Sequence, residues 1–245
     1  MKFRSKLTIM LLIGVVLFYM ACKKMNSPVA QNQSQNTVGA DMISKQVALN
    51  LQKSLYSLYG GGQIKKPSFL NPRAGVPNPA CGFTVDSVLN FNTTANDTVS
   101  HTNGRIIFIF NCTNGQPSGY SATDSLNVTG TATGFSFTSN SVQNYTIMSL
   151  NPTNTLLSVN GSIIAYVDIT YTAPATKPTA DSTTYTLTGL TINVANNYDV
   201  TAGTATFVTT GSTNSGPWNY TGTIAFLGNH MANITINGKV YPVTF

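Results

Sequence analysis

From Phe83 onward the chain alternates apolar and polar residues with a period of two, the repeat of a strand with one buried face. The segments "YSATDSLNV" (120–128), "SIIAYVDITY" (162–171), "YTLTGLTINV" (185–194) and "WNYTGTIAF" (218–226) carry it most clearly. Asn-Gly pairs at 103–104, 114–115, 160–161 and 237–238 supply the positive φ values that tight hairpin turns need. The clearest hairpin is "ANITINGKVYPVTF", where Ile234 and Ile236 share a buried face with Tyr241, Val243 and Phe245. About ten to twelve strands, many of nearly ten residues, fit within 83–245. This pattern predicts an all-β fold, a long antiparallel meander forming a curled sheet or a barrel-like fold. A two-sheet β-sandwich is the alternative.

A helical repeat occurs once, in "DMISKQVALNLQKSLYSLYGGG" (41–62). Ile43, Val47, Leu51, Leu55 and Leu58 recur at helical spacing, Asp41 is the expected N-cap, and Gly60–Gly62 end the pattern. The apolar stripe is expected to pack on the sheet, the other use being a helix lying on a membrane. Residues 22–40 are polar and aperiodic and read as a flexible tether. Residues 63–82, with Pro67, Pro72, Pro77 and Pro79, read as an extended connector.

Two cysteines set a register. "CGFTVDSVLNF" (81–91) and "RIIFIFNC" (105–112) read as adjacent strands joined by the polar loop "NTTANDTVSHTNG". With Cys81 opposite Cys112 in an antiparallel pair, Phe83 faces Phe110 and Val85 faces Phe108, all on one face. Directly opposed residues are close enough for a disulfide, so a Cys81–Cys112 bridge is predicted.

The N-terminus has a different character. "MKFRSK" is basic, Leu7 to Met20 is apolar, and Ala21 precedes Cys22, which is followed by two lysines. The apolar run is short for a membrane span of roughly 20 residues and reads as an export signal. The Ala-Cys junction resembles the lipobox of bacterial lipoproteins, with Tyr19 where Leu is usual. That resemblance implies cleavage after residue 21 and lipidation of Cys22. The count of three cysteines agrees, because pairing Cys81 with Cys112 leaves Cys22 over. Membrane attachment through lipid on Cys22 is the expected partner interaction, with Lys23 and Lys24 at the headgroups.

Composition narrows the function classes. Charged residues make up 8% of the chain and glutamate is absent, so Thr, Ser and Asn must keep the surface soluble. The net charge of +6 misleads, because residues 23–73 hold seven basic side chains against Asp41. Residues 74–245 hold three basic side chains against six aspartates. A nucleic-acid binder would cluster its basic residues on the folded part, so none is expected.

Candidate chemistry is sparse. His101 and His230 both fall in stretches that read as polar turns, and no nucleophile, metalloprotease or phosphate-loop motif occurs. Asp168 is the one aspartate between apolar strand residues, and Asp199 lies in a turn-like stretch where calcium is conceivable. No enzyme activity, metal or cofactor is expected. Trp218 and Tyr220 are candidate aromatics for stacking on a glycan, but share a strand face with Ile224 and Phe226, which favours a core role. The triplets "DSV", "DTV", "DSL" and "DST" resemble the O-glycosylation acceptor of exported proteins in one large Gram-negative phylum. That resemblance implies Ser87, Thr98, Ser125 and Ser182 as modified hydroxyls; Asp-Ser and Asp-Thr also start turns.

The whole layout resembles a group of all-β envelope lipoproteins of Gram-negative bacteria that has no established activity. The shared elements are "ACKK", a tether and helix, "CGFTVDS…IFNC" and a meander closing with "INGKVYPV". The resemblance implies an outer-membrane lipoprotein of the cell envelope, periplasmic or surface-facing. The expected role is non-catalytic binding or scaffolding of an envelope protein or glycan. A surface carbohydrate-binding or adhesive module, or a lipid-carrying half-barrel with the helix as lid, is the alternative.

Overall fold

A computed structural model describes residues 38–58, 81–173 and 179–245. The export segment, Cys22, most of the tether, the expected helix end at 59–62 and the connector up to residue 80 lie outside the described residues. Helix α1 spans Ala40–Leu58. The backbone carbonyl of Gly39 accepts from the amides of Met42 and Ile43 at 3.1 and 3.2 Å, so the cap falls at Gly39 rather than at Asp41. Asp41 sits instead in the first turn, where a carboxylate meets the positive end of the helix dipole.

Ten strands follow: β1 (Thr84–Ala95), β2 (Thr98–Thr113), β3 (Gln116–Ala132), β4 (Phe135–Ser149) and β5 (Leu156–Tyr171), then β6 (Thr179–Asn193), β7 (Asp199–Thr213), β8 (Gly216–Gly228), β9 (Met231–Ile236) and β10 (Lys239–Thr244). They form one sheet in sequence order, each antiparallel to the next. β1 and β10 do not pair, so the meander is open and curled, and no second sheet exists among the described residues.

The register follows from the cysteines. Val85 pairs with Phe108, the Phe83 and Phe110 rings stack at 6.4 Å, and Cys81 and Cys112 form a disulfide with Cα atoms 5.5 Å apart. The polar stretch 92–104, expected as a loop, is instead strand on both sides of a turn at Asn96 (φ 53°) and Asp97. Thr93, Ser100 and Thr102 occupy the apolar face there, and such polar residues on a buried face hide a strand from sequence inspection.

Two of the four Asn-Gly pairs, 114–115 and 237–238, turn hairpins. The other two lie inside β2 and β5. Their glycines serve close approach instead: a Cβ at Gly104 would sit 2.2 Å from the Ser125 carbonyl, and one at Gly161 2.2 Å from that of Asn144. Asn160 bulges out of the β5–β6 ladder and its side chain accepts from the Gly189 amide at 2.7 Å. β6 also shifts register against β7 beyond Thr188, so the buried positions change from Tyr185 and Leu187 to Leu190 and Ile192. Irregularities in neighbouring strands bend a sheet locally.

The core fills the inside of the curl. Ile43, Val47, Leu51 and Leu55 of α1 are buried with Tyr185 and Leu190 of β6, Ala205 and Phe207 of β7, Ile224 of β8 and Ile234 of β9. The helix therefore packs its stripe on the sheet. Tyr185 and Tyr220 donate their hydroxyls to the Val47 and Val38 carbonyls at 3.0 and 2.9 Å. Gln46 donates to Asp181 at 2.6 Å.

The disulfide closes a 31-residue separation around the first hairpin. Its loop entropy predicts that replacing both cysteines with alanine costs about 3–4 kcal/mol. Urea unfolding of the double variant checks this, and an unchanged midpoint would remove the disulfide from the account of stability.

Candidate functional site

Strand pairing assigns every side chain to one of two faces. The helix face carries Val85, Leu89 and Phe91 of β1, Ile106 and Phe108 of β2, and Tyr120, Ala122, Asp124, Leu126 and Val128 of β3. It continues through Gln143, Tyr145 and Ile147 of β4 to Val159 and Ile163 of β5. The outer face carries Ser, Thr and Asn on nearly every strand.

Under the helix, buried polar groups are paired. Asp181 accepts from Gln46 and from the Thr183 hydroxyl at 3.1 Å. The Trp218 indole donates to Thr209 at 3.2 Å, and the Thr183 and Thr209 hydroxyls share a hydrogen bond of 2.8 Å. Burial pushes the Asp181 carboxyl above its ordinary range, with the Thr183, Gln46 and Thr209 bonds opposing it. Trp218 is 6% exposed and Tyr220 is held by the Val38 carbonyl. The structure thus buries the Trp218 ring, where no sugar can stack on it, and leaves Tyr220 half-buried against the core.

The part of the helix face formed by β1–β4 is different. Val85, Leu89, Phe91, Ile106, Phe108 and Leu126 are only half-buried there. Asp124 of β3, 8% exposed, stands directly opposite Gln143 of β4. Asp124 Oδ1 and Gln143 Oε1 are both buried without a hydrogen-bond partner. The Gln143 amide nitrogen is turned away, donating to Ser141 at 3.2 Å. Each of these buried acceptors lacks a donor among the described residues, which costs free energy unless a proton is supplied. Burial pushes the Asp124 carboxyl up to about 7. It pushes the neighbouring Tyr120 and Tyr145 hydroxyls up as well.

On the outer face, an asparagine row crosses the first four strands. Asn90, Asn103, Asn127 and Asn140 are in register, Asn103 donating to Asn127 at 3.4 Å and Asn127 to Asn140 at 2.5 Å. Beside it lies an open groove of about 420 Å³ lined by Asn92, His101, Thr129, Thr138 and Asp168. His101 is a strand residue rather than a turn residue, its Nδ1 sharing a hydrogen bond with Asn92 Oδ1 at 2.8 Å. Asp168 accepts from the Tyr166 hydroxyl at 3.3 Å. Arg105 binds Asp86 through two nitrogens, which holds that carboxyl below its ordinary range.

The remaining candidates separate. Asp199 is buried and accepts from the Asn229 and His230 amides at 2.7 and 2.9 Å, which ties the β8–β9 turn to β7. That bonding accounts for the carboxylate without calcium. His230 occupies the turn with φ 56°. Among the described residues no three His, Cys, Asp or Glu side chains gather as a metal site. Of the hydroxyls in the Asp-Ser/Thr triplets, Ser125 is exposed on the outer face and Thr98 opens β2 beside the first turn. Ser182 is half-buried on the outer face, and Ser87 is half-buried on the helix face opposite Ile106. Among the described residues no helix is long and apolar enough to cross a membrane. No family model, no curated protein and no solved structure matches the chain.

Asp124 gives a pH signature. The stability its proton contributes is complete below about pH 4, where the carboxyl is protonated in both folded and unfolded chains. As pH rises the unfolded chain ionises near the ordinary value of 3.8 while the folded chain holds its proton to about 7. That contribution is lost across this window at up to about 1.4 kcal/mol per pH unit. Asp124→Asn should gain stability over the wild type between about pH 4 and 7, read as urea midpoints. Parallel profiles for the two proteins would contradict this account.

Proposed function

We propose that the chain is a lipid-anchored protein of the bacterial cell envelope, non-catalytic, whose curled sheet binds or scaffolds a partner. The observation that carries this reading is the Cys81–Cys112 disulfide. A structural disulfide belongs to an oxidising compartment. It also uses two of the three cysteines, leaving Cys22 at the end of the export segment as the thiol for acylation. A tether of roughly 20 residues then holds the fold about 20–25 Å from the bilayer. The placement is the outer membrane, facing the periplasm or the surface.

Glycan binding is a second reading, and the outer-face groove favours it over the interior Trp218 and Tyr220. Planar amides and a carboxylate in a shallow groove can bond the paired hydroxyls of a sugar, with Asn92, His101 and Asp168 as the candidates. The carbohydrate-modified form is part of the same proposal. Ser125, exposed on the outer face, is the acceptor that the folded chain presents best; Thr98 beside the first turn, Ser182 on the outer face and Ser87 on the helix face are half-buried.

Two measurements test these proposals. Labelled palmitate should enter the wild type and not Cys22→Ser, and the variant should leave the membrane fraction; equal labelling would end the lipoprotein reading. Intact mass of the native protein should exceed that of the acylated chain, with the excess reduced in Ser125→Ala or Thr98→Ala and unchanged in Ser87→Ala. A mass equal to the acylated chain would exclude glycosylation.

A further inference from the structure

We infer that β1 is a docking edge for a second copy of this chain, the two copies pairing β1 to β1 antiparallel about Asn90 and joining their sheets into one. The inference goes beyond the anchoring role and does not depend on it. β1 pairs with β2 along one edge, and its other edge has no partner among the described strands. The Phe110 amide donates to the Phe83 carbonyl at 3.0 Å, so Phe83 turns its backbone toward β2. Backbone direction alternates along a strand, so Asp86, Val88, Asn90, Asn92 and Thr94 turn their N–H and C=O groups to the open edge. All of these residues are exposed.

Edge strands usually carry a device against such pairing, which is a proline, a lysine, a bulge or a short length. β10 carries two, with six residues and Pro242. β1 carries none. It runs for 12 residues, "TVDSVLNFNTTA", without proline, lysine or a register shift against β2. Its one charge, Asp86, is bound by Arg105 of its own copy.

The sequence of β1 selects both the occupant and the register. With Asn90 opposite Asn90, residues 85–95 of the two copies pair over nearly the whole strand. On the outer face, the row of Asn140, Asn127, Asn103 and Asn90 ends at this edge and then continues into the same row of the other copy. Each Asn90 amide offers the other a donor and an acceptor. On the helix face, Leu89 of each copy meets Phe91 of the other, an aliphatic–aromatic cross-strand pair made twice. The half-buried strips of Val85, Leu89, Phe91, Ile106 and Phe108 then join, which removes apolar surface from water. Asp86 opposes Thr94, so the two carboxylates stay apart. A slip of two residues sets Phe91 against Ser87 in one direction or Leu89 against Thr93 in the other, and takes Asn90 off its counterpart. An unrelated extended peptide could use the backbone edge but would match neither face.

The test uses the full chain in detergent, where sedimentation should show a concentration-dependent dimer. Asn90→Lys sets two lysines directly opposite one another. It should sediment as a monomer at concentrations where the wild type is dimeric, with circular dichroism and melting temperature retained. Val88→Lys, opposite Asn92, should stay dimeric. In a Cys22→Ser background, mild oxidation should join Asn90→Cys into a covalent dimer on a non-reducing gel. Val88→Cys, about 14 Å from its counterpart, should stay monomeric on that gel. The cysteine variants carry the test if either lysine variant fails to fold. A monomeric wild type, a dimer that survives Asn90→Lys, a monomeric Val88→Lys, or cross-linking through Val88→Cys rather than Asn90→Cys would overturn the inference.

Discussion

A ten-stranded sheet with one apolar face must hide that face from water, and among the described elements only α1 is available to do so. Ten strands at about 4.8 Å spacing span about 43 Å, whereas a helix with its side chains is about 10–12 Å wide. Flat, such a sheet would leave most of its apolar face wet. Curling solves part of the problem, because strands on either side of the helix then approach it together. The irregularities at Asn160 and beyond Thr188 fall in β5–β7, among the strands whose side chains share the core with the helix. The fully buried side chains come from α1 and β3–β9, while β1 and β2 keep their apolar residues on this face half-exposed.

Polar atoms follow the same division. The Tyr185 hydroxyl reaches the Val47 carbonyl of the helix, Tyr220 reaches the Val38 carbonyl just before it, and Gln46 reaches Asp181, so helix and sheet are joined by directional contacts as well as by area. These contacts hold the helix at its entry and near its middle, since Val38 precedes it, Val47 lies within it, and each meets a different strand. Away from the helix, Asp199 is met by backbone amides, whereas Asp124 Oδ1 and Gln143 Oε1 are buried without a partner among the described residues. Unsatisfied acceptors of this kind are a cost the fold bears.

The register of the first hairpin was legible because two constraints met there. Period two assigns faces, and one cross-link then fixes which residues oppose each other, down to Val85 and Phe108. The helix stripe was legible for the same reason at period 3.6. Strand ends were not, because Thr93, Ser100 and Thr102 sit on the buried face and break the alternation that sequence reading relies on. Asn103–Gly104 and Asn160–Gly161 carry local turn preference, but long-range pairing on both sides overrides it. Asp124 was missed although its signal was present. In "YSATDSLNV" it shares parity with Tyr120, Ala122, Leu126 and Val128, which places a carboxyl on an apolar face by counting alone. Attention to the triplet Asp124-Ser125-Leu126 drew the eye to the serine instead.

The open form of the sheet is itself written in its two edges. β1 offers twelve residues and β10 only six, and β10 contains Pro242, which lacks the backbone N–H that a ladder bond requires. Closing the barrel would leave half of β1 without a partner and one donor missing from the rest. A short edge with a proline is also a poor template for another chain, whereas β1 is long and, beyond its pairing with β2, has one edge without a partner among the described strands. Its end is instead pinned to β2 by the Cys81–Cys112 bridge, which restrains fraying at the point where the strand enters the sheet. The edges therefore keep the curl from becoming a cylinder. A cylinder would enclose the helix completely, whereas the half-closed form leaves the apolar residues of β1 and β2 half-buried.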